Sequence, residues 1–347
     1  MTNAVSELSF LHGKPKSHGD LRCSVSDFKV FELLPFQPSG EGEHLIIHIR
    51  KTGANTLFVA RQLAKYFKVK EALVSYAGLK DRNAVTEQYF GVHLPGKTQY
   101  DLSDLSIDGV EVLSYQRHNK KLKTGALVGN RFELILRNVD DVDDVKARWQ
   151  KALKTGVPNY FGEQRFGHDS KNLTAATELF NGRKVKDKKK RGFYLSAARS
   201  YLFNLFVSGR IQHEHFSAPL NGDVYMLSGT RSIFSQTEVD QTIIARLADK
   251  DIAITAPLWG AGELATSSAA VAFEQTIANR QSDYCQGLAK FGLKQERRRI
   301  NLEIEVGQIA SQNDVVTLSF FLPAGCFATT ILRELLIYND KSFSNKE

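Results

Sequence analysis

Hydrophobic and polar positions alternate in short stretches along the first half of the chain. Phe28-Lys29-Val30-Phe31-Glu32-Leu33 and His44-Leu45-Ile46-Ile47-His48-Ile49 have the period of strands, and Pro38-Ser39-Gly40-Glu41-Gly42 between them predicts a turn. The period then lengthens. Leu57, Ala60, Leu63, Ala64 and Phe67 recur as one face of a helix, with Asn55 or Thr56 able to cap it. Further strands are expected near 71–78, 87–94, 110–117 and 131–137. Val139-Asp140-Asp141-Val142-Asp143-Asp144-Val145 opens a helix with acidic residues at its positive end, running to about Lys154, and Gly156 is placed to end it.

After Pro158 the pattern turns helical, over Leu173–Phe180, Leu195–Gly209, Glu238–Ala248 and Ser268–Leu288. Strand-like alternation returns at 302–308 and 314–322, and a final helix starts after Gly325. The expectation is an α+β protein. A discontinuous mixed α/β domain, residues 1–155 and 302–347, is interrupted by a helix-rich insert, 156–301. At 347 residues the chain can bury a sizeable core in each part.

Charge narrows the partners. A net charge of +8 favours a polyanion, nucleic acid first. The competing partner is an anionic membrane surface, but no basic amphipathic helix with a broad apolar face stands out. The densest run is Arg183-Lys184-Val185-Lys186-Asp187-Lys188-Lys189-Lys190-Arg191, expected on a loop of the insert and able to neutralise several phosphates. Arg117 to Lys123 form a second cluster, and Lys294 with Arg297, Arg298 and Arg299 a third. Cys23, Cys285 and Cys326 stand far apart, which argues for a reducing compartment and against a disulfide framework or a zinc site. With no secretory pattern and no run near 18 apolar residues, a soluble cytoplasmic monomer is expected.

The most specific stretch is Tyr76-Ala77-Gly78-Leu79-Lys80-Asp81-Arg82-Asn83-Ala84-Val85-Thr86-Glu87-Gln88. A strand-like run stops at Gly78, and a carboxylate follows between two cations that can keep it ionised. An ionised, positioned aspartate at a strand end can act as nucleophile or base. The string resembles the catalytic motif of the TruD family of RNA pseudouridine synthases. The resemblance extends in order along the chain: His12-Gly13-Lys14-Pro15, Asp27-Phe28-Lys29-Val30-Phe31-Glu32, Gly129-Asn130-Arg131-Phe132, Val157 to Gly167, Leu195 to Ser200 and Leu322 to Thr329.

The resemblance implies a pseudouridine-synthase-like catalytic domain carrying an inserted TRUD domain that clamps RNA. It implies isomerisation of a flipped uridine in tRNA, at position 13, with no cofactor and no metal; P-loop, dinucleotide and metal signatures are likewise absent from the sequence. Asp81 would be the nucleophile, attacking C1′ or assisting glycosidic cleavage. Phe132 would lie on the uracil face, Asn130 would touch substrate or hold the loop, and Phe28 and Phe327 would complete the pocket wall. Arg22 would pair with the nucleophile, with Lys80 as the rival cation. Arg183, Lys184, Lys186, Lys188, Lys189, Lys190 and Arg191 would meet RNA phosphates. An RNA-binding or folding chaperone without required catalysis is the alternative reading. A methyltransferase or a glycosylase is a further one, and no cofactor site of the usual kind supports the former.

Overall fold

In the computed structural model, which describes residues 5–343, the alternating segments become sheet. The first strands are β1 (His18–Leu21), β2 (Phe28–Leu33) and β3 (His44–Thr52). In β2 the buried positions are Phe28, Val30 and Glu32, so an otherwise apolar face ends on a carboxylate. Helix α1 (Thr56–Tyr66) starts where Asn55 accepts the Leu57 N–H, and it buries Val59, Ala60, Leu63 and Ala64. Then come β4 (Val74–Tyr76), β5 (Val85–His93), β6 (Val110–His118) and β7 (Gly129–Arg137). Helix α2 (Val142–Thr155) carries Asp143 and Asp144 in its first turn. Gly156, with φ of 73°, takes the left-handed conformation that ends it.

The middle of the chain is less helical than its periodicity predicts. It runs β8 (Val157–Pro158), α3 (Lys171–Phe180), α4 (Lys188–Gln212), β9 (Val224–Leu227), β10 (Ile233–Ser235), α5 (Gln241–Ala248), β11 (Ile252–Leu258), α6 (Ser268–Asn279), α7 (Ser282–Lys290), β12 (Glu296–Arg299) and β13 (Asn301–Leu302). Four of these strands form a sheet in the order β10-β9-β11-β12 that the sequence pattern does not announce. Two of them, β9 and β10, are three or four residues long and bordered by Asp223, Ser228 and Ser232, and β12 reads Glu-Arg-Arg-Arg, with no apolar alternation. The stretch expected as one helix over Ser268–Leu288 is two. Helix α4 starts at Lys188, so the second half of the basic run lies on its first turn and not in a loop. Asp187 caps it, accepting the N–H groups of Lys189 and Lys190. The last elements are β14 (Glu305–Gln312), β15 (Val315–Pro323), α8 (Ala328–Leu335) and β16 (Ile337–Asp340).

The chain divides into two compact units. One contains residues 15–153, 304–328 and those from 335 on; the other contains the N-terminal residues to Lys14, residues 154–303 and 329–334. The first unit is built on a sheet ordered β14-β15-β7-β2-β5-β3-β6, with β1 joining β7 to β16 and β4 added to β5. Helix α1 covers one face, its Val59 and Leu63 packing with Ile47, Ile49, Phe90 and Val92. Trp149 of α2 is fully buried against Phe320 of β15, with ring centroids 5.9 Å apart. In the second unit Phe161 meets Phe203 edge-on, and Arg210 of α4 forms a buried ion pair with Asp223.

Candidate active site

β4 ends at Tyr76, β5 begins at Val85, and the loop between them carries Gly78 to Asn83. Three buried polar side chains hold that loop. The Thr56 hydroxyl accepts the Lys80 N–H at 3.0 Å and donates to Gln88 Oε1 at 3.0 Å. Gln88 Nε2 donates to the Gly78 carbonyl. Lys51, at the end of β3, is 0% exposed, and its ammonium donates to the main-chain carbonyls of Asp81 at 2.8 Å and Ala54 at 2.9 Å. Burial pushes the Lys51 pKa down to about 8, and the Lys80 charge adds to this while Asp81 opposes it.

The Asp81 carboxylate is held from both ends. Oδ2 accepts from Arg22 Nη2 at 3.0 Å, and Oδ1 accepts the Asn83 N–H at 3.0 Å. Arg22 follows β1 with a left-handed backbone, φ 57°, and its side chain is 4% exposed. That conformation is unfavourable for a residue with a Cβ and marks a position held by its surroundings. Its other guanidinium nitrogen, Nη1, donates to Asp340 on β16, and its flat face lies 4.0 Å from the centroid of Phe28. Two carboxylates and an aromatic face offset much of the desolvation of this buried guanidinium, while its Nε is buried with no hydrogen-bond partner among the described residues.

The aromatic wall continues from there. Phe28 meets Phe132 edge to face at 6.3 Å, and Phe132 stacks on Phe320 at 5.5 Å. Cross-strand register sets this arrangement: Val30 of β2 and Phe320 of β15 both pair with Phe132 of β7. Two residues along, Glu32 and Leu322 pair with Asn130. Lys80 turns away from Asp81, into an ion pair with Glu32, whose side chain is fully buried. The Asn130 amide oxygen is buried with no hydrogen-bond partner among the described residues. Phe327 is half-buried in the segment between β15 and α8.

The basic run belongs to the other unit. Lys184, Lys186 and Lys188 to Lys190 are exposed, Arg191 is half-buried, and Arg183 pairs with Glu178. The third basic cluster has a different character. Arg297 is buried against Glu274 at 2.8 Å, and Arg298 lies 4.4 Å over the Phe161 ring. Arg199 donates to the carbonyls of Leu258 and Lys294 and lies 3.3 Å from Glu296. These arginines hold their own unit together.

Asp340, Lys51 and Thr56 were not singled out by sequence reasoning. Thr56 appears there only as a possible helix cap. Asp340 lies 318 positions from the arginine it holds, so no local pattern connects them. Lys51 sits in an alternating strand as one more polar residue. Among the described residues no group of three or more His, Cys, Asp or Glu side chains is placed to hold a metal ion. None of their helices is long and apolar enough to cross a membrane.

Residues 5–183 and 180–335 match the family model of tRNA pseudouridine synthase D (TruD). The tRNA pseudouridine synthase D of Colwellia psychrerythraea is 61% identical over 344 residues, covering 96% of this chain and 94% of that protein. The enzyme of the same name from Shewanella oneidensis is 51% identical over 337 residues, covering 97% and 90%. A crystal structure of a candidate TruD protein from Methanosarcina mazei shares the α+β fold, with a TM-score of 0.70 over 95% of this chain and 94% of that one, at 21% identity. The string around Asp81, the ordered motifs and the matches over nearly the whole chain lead to one conclusion: this chain belongs to the TruD family of tRNA pseudouridine synthases.

Proposed function

We propose that the chain isomerises uridine to pseudouridine in tRNA, at position 13, with Asp81 as the catalytic carboxylate. The observation that carries this reading is the pairing of the Asp81 carboxylate with a buried Arg22 at 3.0 Å, beside the Phe28 and Phe132 rings. A carboxylate in a partly desolvated site needs a fixed cation to remain ionised. Arg22 supplies it, and Asp340 keeps Arg22 in place.

The reaction balances without an external reductant. The bond from N1 to C1′ breaks, the uracil turns, and a bond from C5 to C1′ forms. C5 loses a hydrogen and N1 gains one. Asp81 serves C1′, either by attack or by assisting cleavage. The flipped ring packs against Phe132, with Phe28 and Phe327 as further walls, because an extruded base loses its stacking and must regain apolar contact. Asn130 reads the ring. Its unpartnered oxygen accepts the N3–H that uracil has and cytosine lacks, and leaving such a buried acceptor unpaired costs about 1–3 kcal/mol.

The residues that form the inserted domain, 156–301, clamp the RNA in this reading. Lys188, Lys189 and Lys190 occupy the first turn of α4, the positive end of a helix, where cations are unfavourable. A phosphate backbone would turn that cost into a gain, with Arg183, Lys184, Lys186 and Arg191 alongside.

The experiment compares wild type with Asp81→Asn on tRNA, mapping pseudouridine and measuring binding in parallel. Modification by wild type alone, with affinity kept by both, is the expected outcome. Modification by the variant would sink the assignment of Asp81. Binding by both without modification by either would bring the chaperone reading forward.

A further inference from the structure

β6 ends in His118, and the loop that follows reads Asn119-Lys120-Lys121-Leu122-Lys123. Leu122 is 0% exposed and packs with Ile46 and Ala77, bordered by Phe36, Ala126 and Leu127. That anchor leaves Lys120, Lys121 and Lys123 exposed around it. The main chain is tied as well. Gly125 donates its N–H to the Ala77 carbonyl at 2.7 Å. Gly42 abuts the same loop so closely that a Cβ there would lie 2.4 Å from the His118 carbonyl oxygen. Cations on a fixed scaffold give up less freedom on binding than cations on a loose loop.

An aromatic platform stands among them. The Phe36 and His118 rings are stacked 4.5 Å apart at 7°. His118 Nδ1 accepts the Ser39 N–H at 3.2 Å, which leaves the proton of the neutral ring on Nε2 as a donor. Burial, with Lys120 nearby, holds the ring's pKa below the ordinary histidine value and favours that neutral form. Around the pair opens a cavity of about 650 Å³ whose lining includes Phe36, His118, Lys120, Lys121 and Lys123, and no acidic side chain among the described residues.

We infer that this cavity is a second RNA subsite, in which Phe36, backed by the buried His118 ring, stacks a base flanking the target uridine while Lys120, Lys121 and Lys123 neutralise its phosphates. The inference rests on the pseudouridine synthase reading for the identity of the RNA. Charge complementarity makes the occupant a polyanion, and the stacked rings make it one that carries bases. Position makes it a neighbour of the target. Ala77, to which the basic loop is hydrogen-bonded, precedes Asp81 by so few residues that their Cα atoms lie within roughly 14 Å. Flipping a uridine unstacks the nucleotides beside it, and a platform beside the loop tied to Ala77 re-stacks one of them.

The test uses the full chain with Lys120, Lys121 and Lys123 all changed to Ala, and separately Phe36→Leu. For each, tRNA affinity is measured across salt and the modification rate at saturating tRNA. Ultraviolet crosslinks of tRNA to Asp81→Asn protein are mapped beside them. The triple variant is expected to bind about tenfold more weakly, with the slope of log affinity against log salt reduced by about 2. Its saturating rate stays near that of wild type, and crosslinks map to Phe36 or His118. An unchanged affinity and slope, with crosslinks elsewhere, overturns the subsite. A weaker triple variant without a crosslink at either ring overturns the stacking and leaves a phosphate patch. Equal competition by polyglutamate overturns RNA as the occupant. A wild type that binds tRNA without modifying it defeats the enzyme reading alone, and one that neither binds nor modifies tRNA defeats both.

Discussion

Arg22 presents two nitrogens to two carboxylates, Asp81 and Asp340, while its plane rests on Phe28. Sharing a cation in this way limits how tightly Asp81 is bound and fixes where the cation stands. Asp340→Asn removes one of the two charges and leaves Arg22 to draw Asp81 alone. The saturating rate is expected to fall about tenfold, equivalent to roughly 1.4 kcal/mol, with the substrate concentration for half-maximal rate little changed. Asp340→Glu should restore part of it. Combined with Arg22→Lys, Asp340→Asn should show a coupling of roughly 1–3 kcal/mol. Additive effects would mean that Asp340 serves only to dock β16. Much of this candidate site could be proposed from the sequence, because Asp81, Asn130 and Phe132 stand in short specific strings. Asp340 could not. It reaches Arg22 through the pairing of Leu21 with Asp340 between β1 and β16, which nothing local encodes.

At the level of elements, β7 is the strand on which the site is ruled. It lies between β2 and β15, and its Asn130 and Phe132 are positioned by those two registers. Gly129 opens it, and a Cβ there would lie 2.2 Å from the Leu322 carbonyl oxygen and 2.4 Å from the Phe321 ring. Gly129→Ala must therefore move β15 or β7 just before Asn130. A loss of about 1–3 kcal/mol in unfolding free energy is expected, with a lower rate, and thermal melting beside an activity assay checks both. An unaltered melting temperature would show that the strands yield freely. Strand existence was readable in β2 and β3, where burial alternates along most of each strand, with Ile46 of β3 buried on the opposite face. Sheet order was not, since a parallel β2–β5 pair depends on connections that alternation does not describe. The four-stranded sheet of the other unit was missed because Arg297 to Arg299 read as a patch for a partner, whereas Arg297 is buried against Glu274.

For the molecule as a whole, a net charge of +8 sets attraction to RNA, and its distribution decides which phosphates are held. Changing Lys188, Lys189, Lys190 and Arg191 to Ala should weaken tRNA binding and leave the saturating rate intact. The salt slope should fall by about 0.7–0.9 for each phosphate no longer neutralised. An unchanged slope would identify the run as a solvated helix end. The chain order of the first unit carries a further consequence, for biosynthesis. Its sheet is begun by β1 to β7 and finished only by β14, β15 and β16, after the whole of residues 154–303 has been made. Asp340 leaves the ribosome about 260 residues after Asp81, a delay of roughly 13 to 52 s at the usual pace of translation. Through that interval the nascent chain holds Arg22 and Asp81 without the strand that braces them, so the site around Asp81 is completed only by the last stretch of polypeptide to be made.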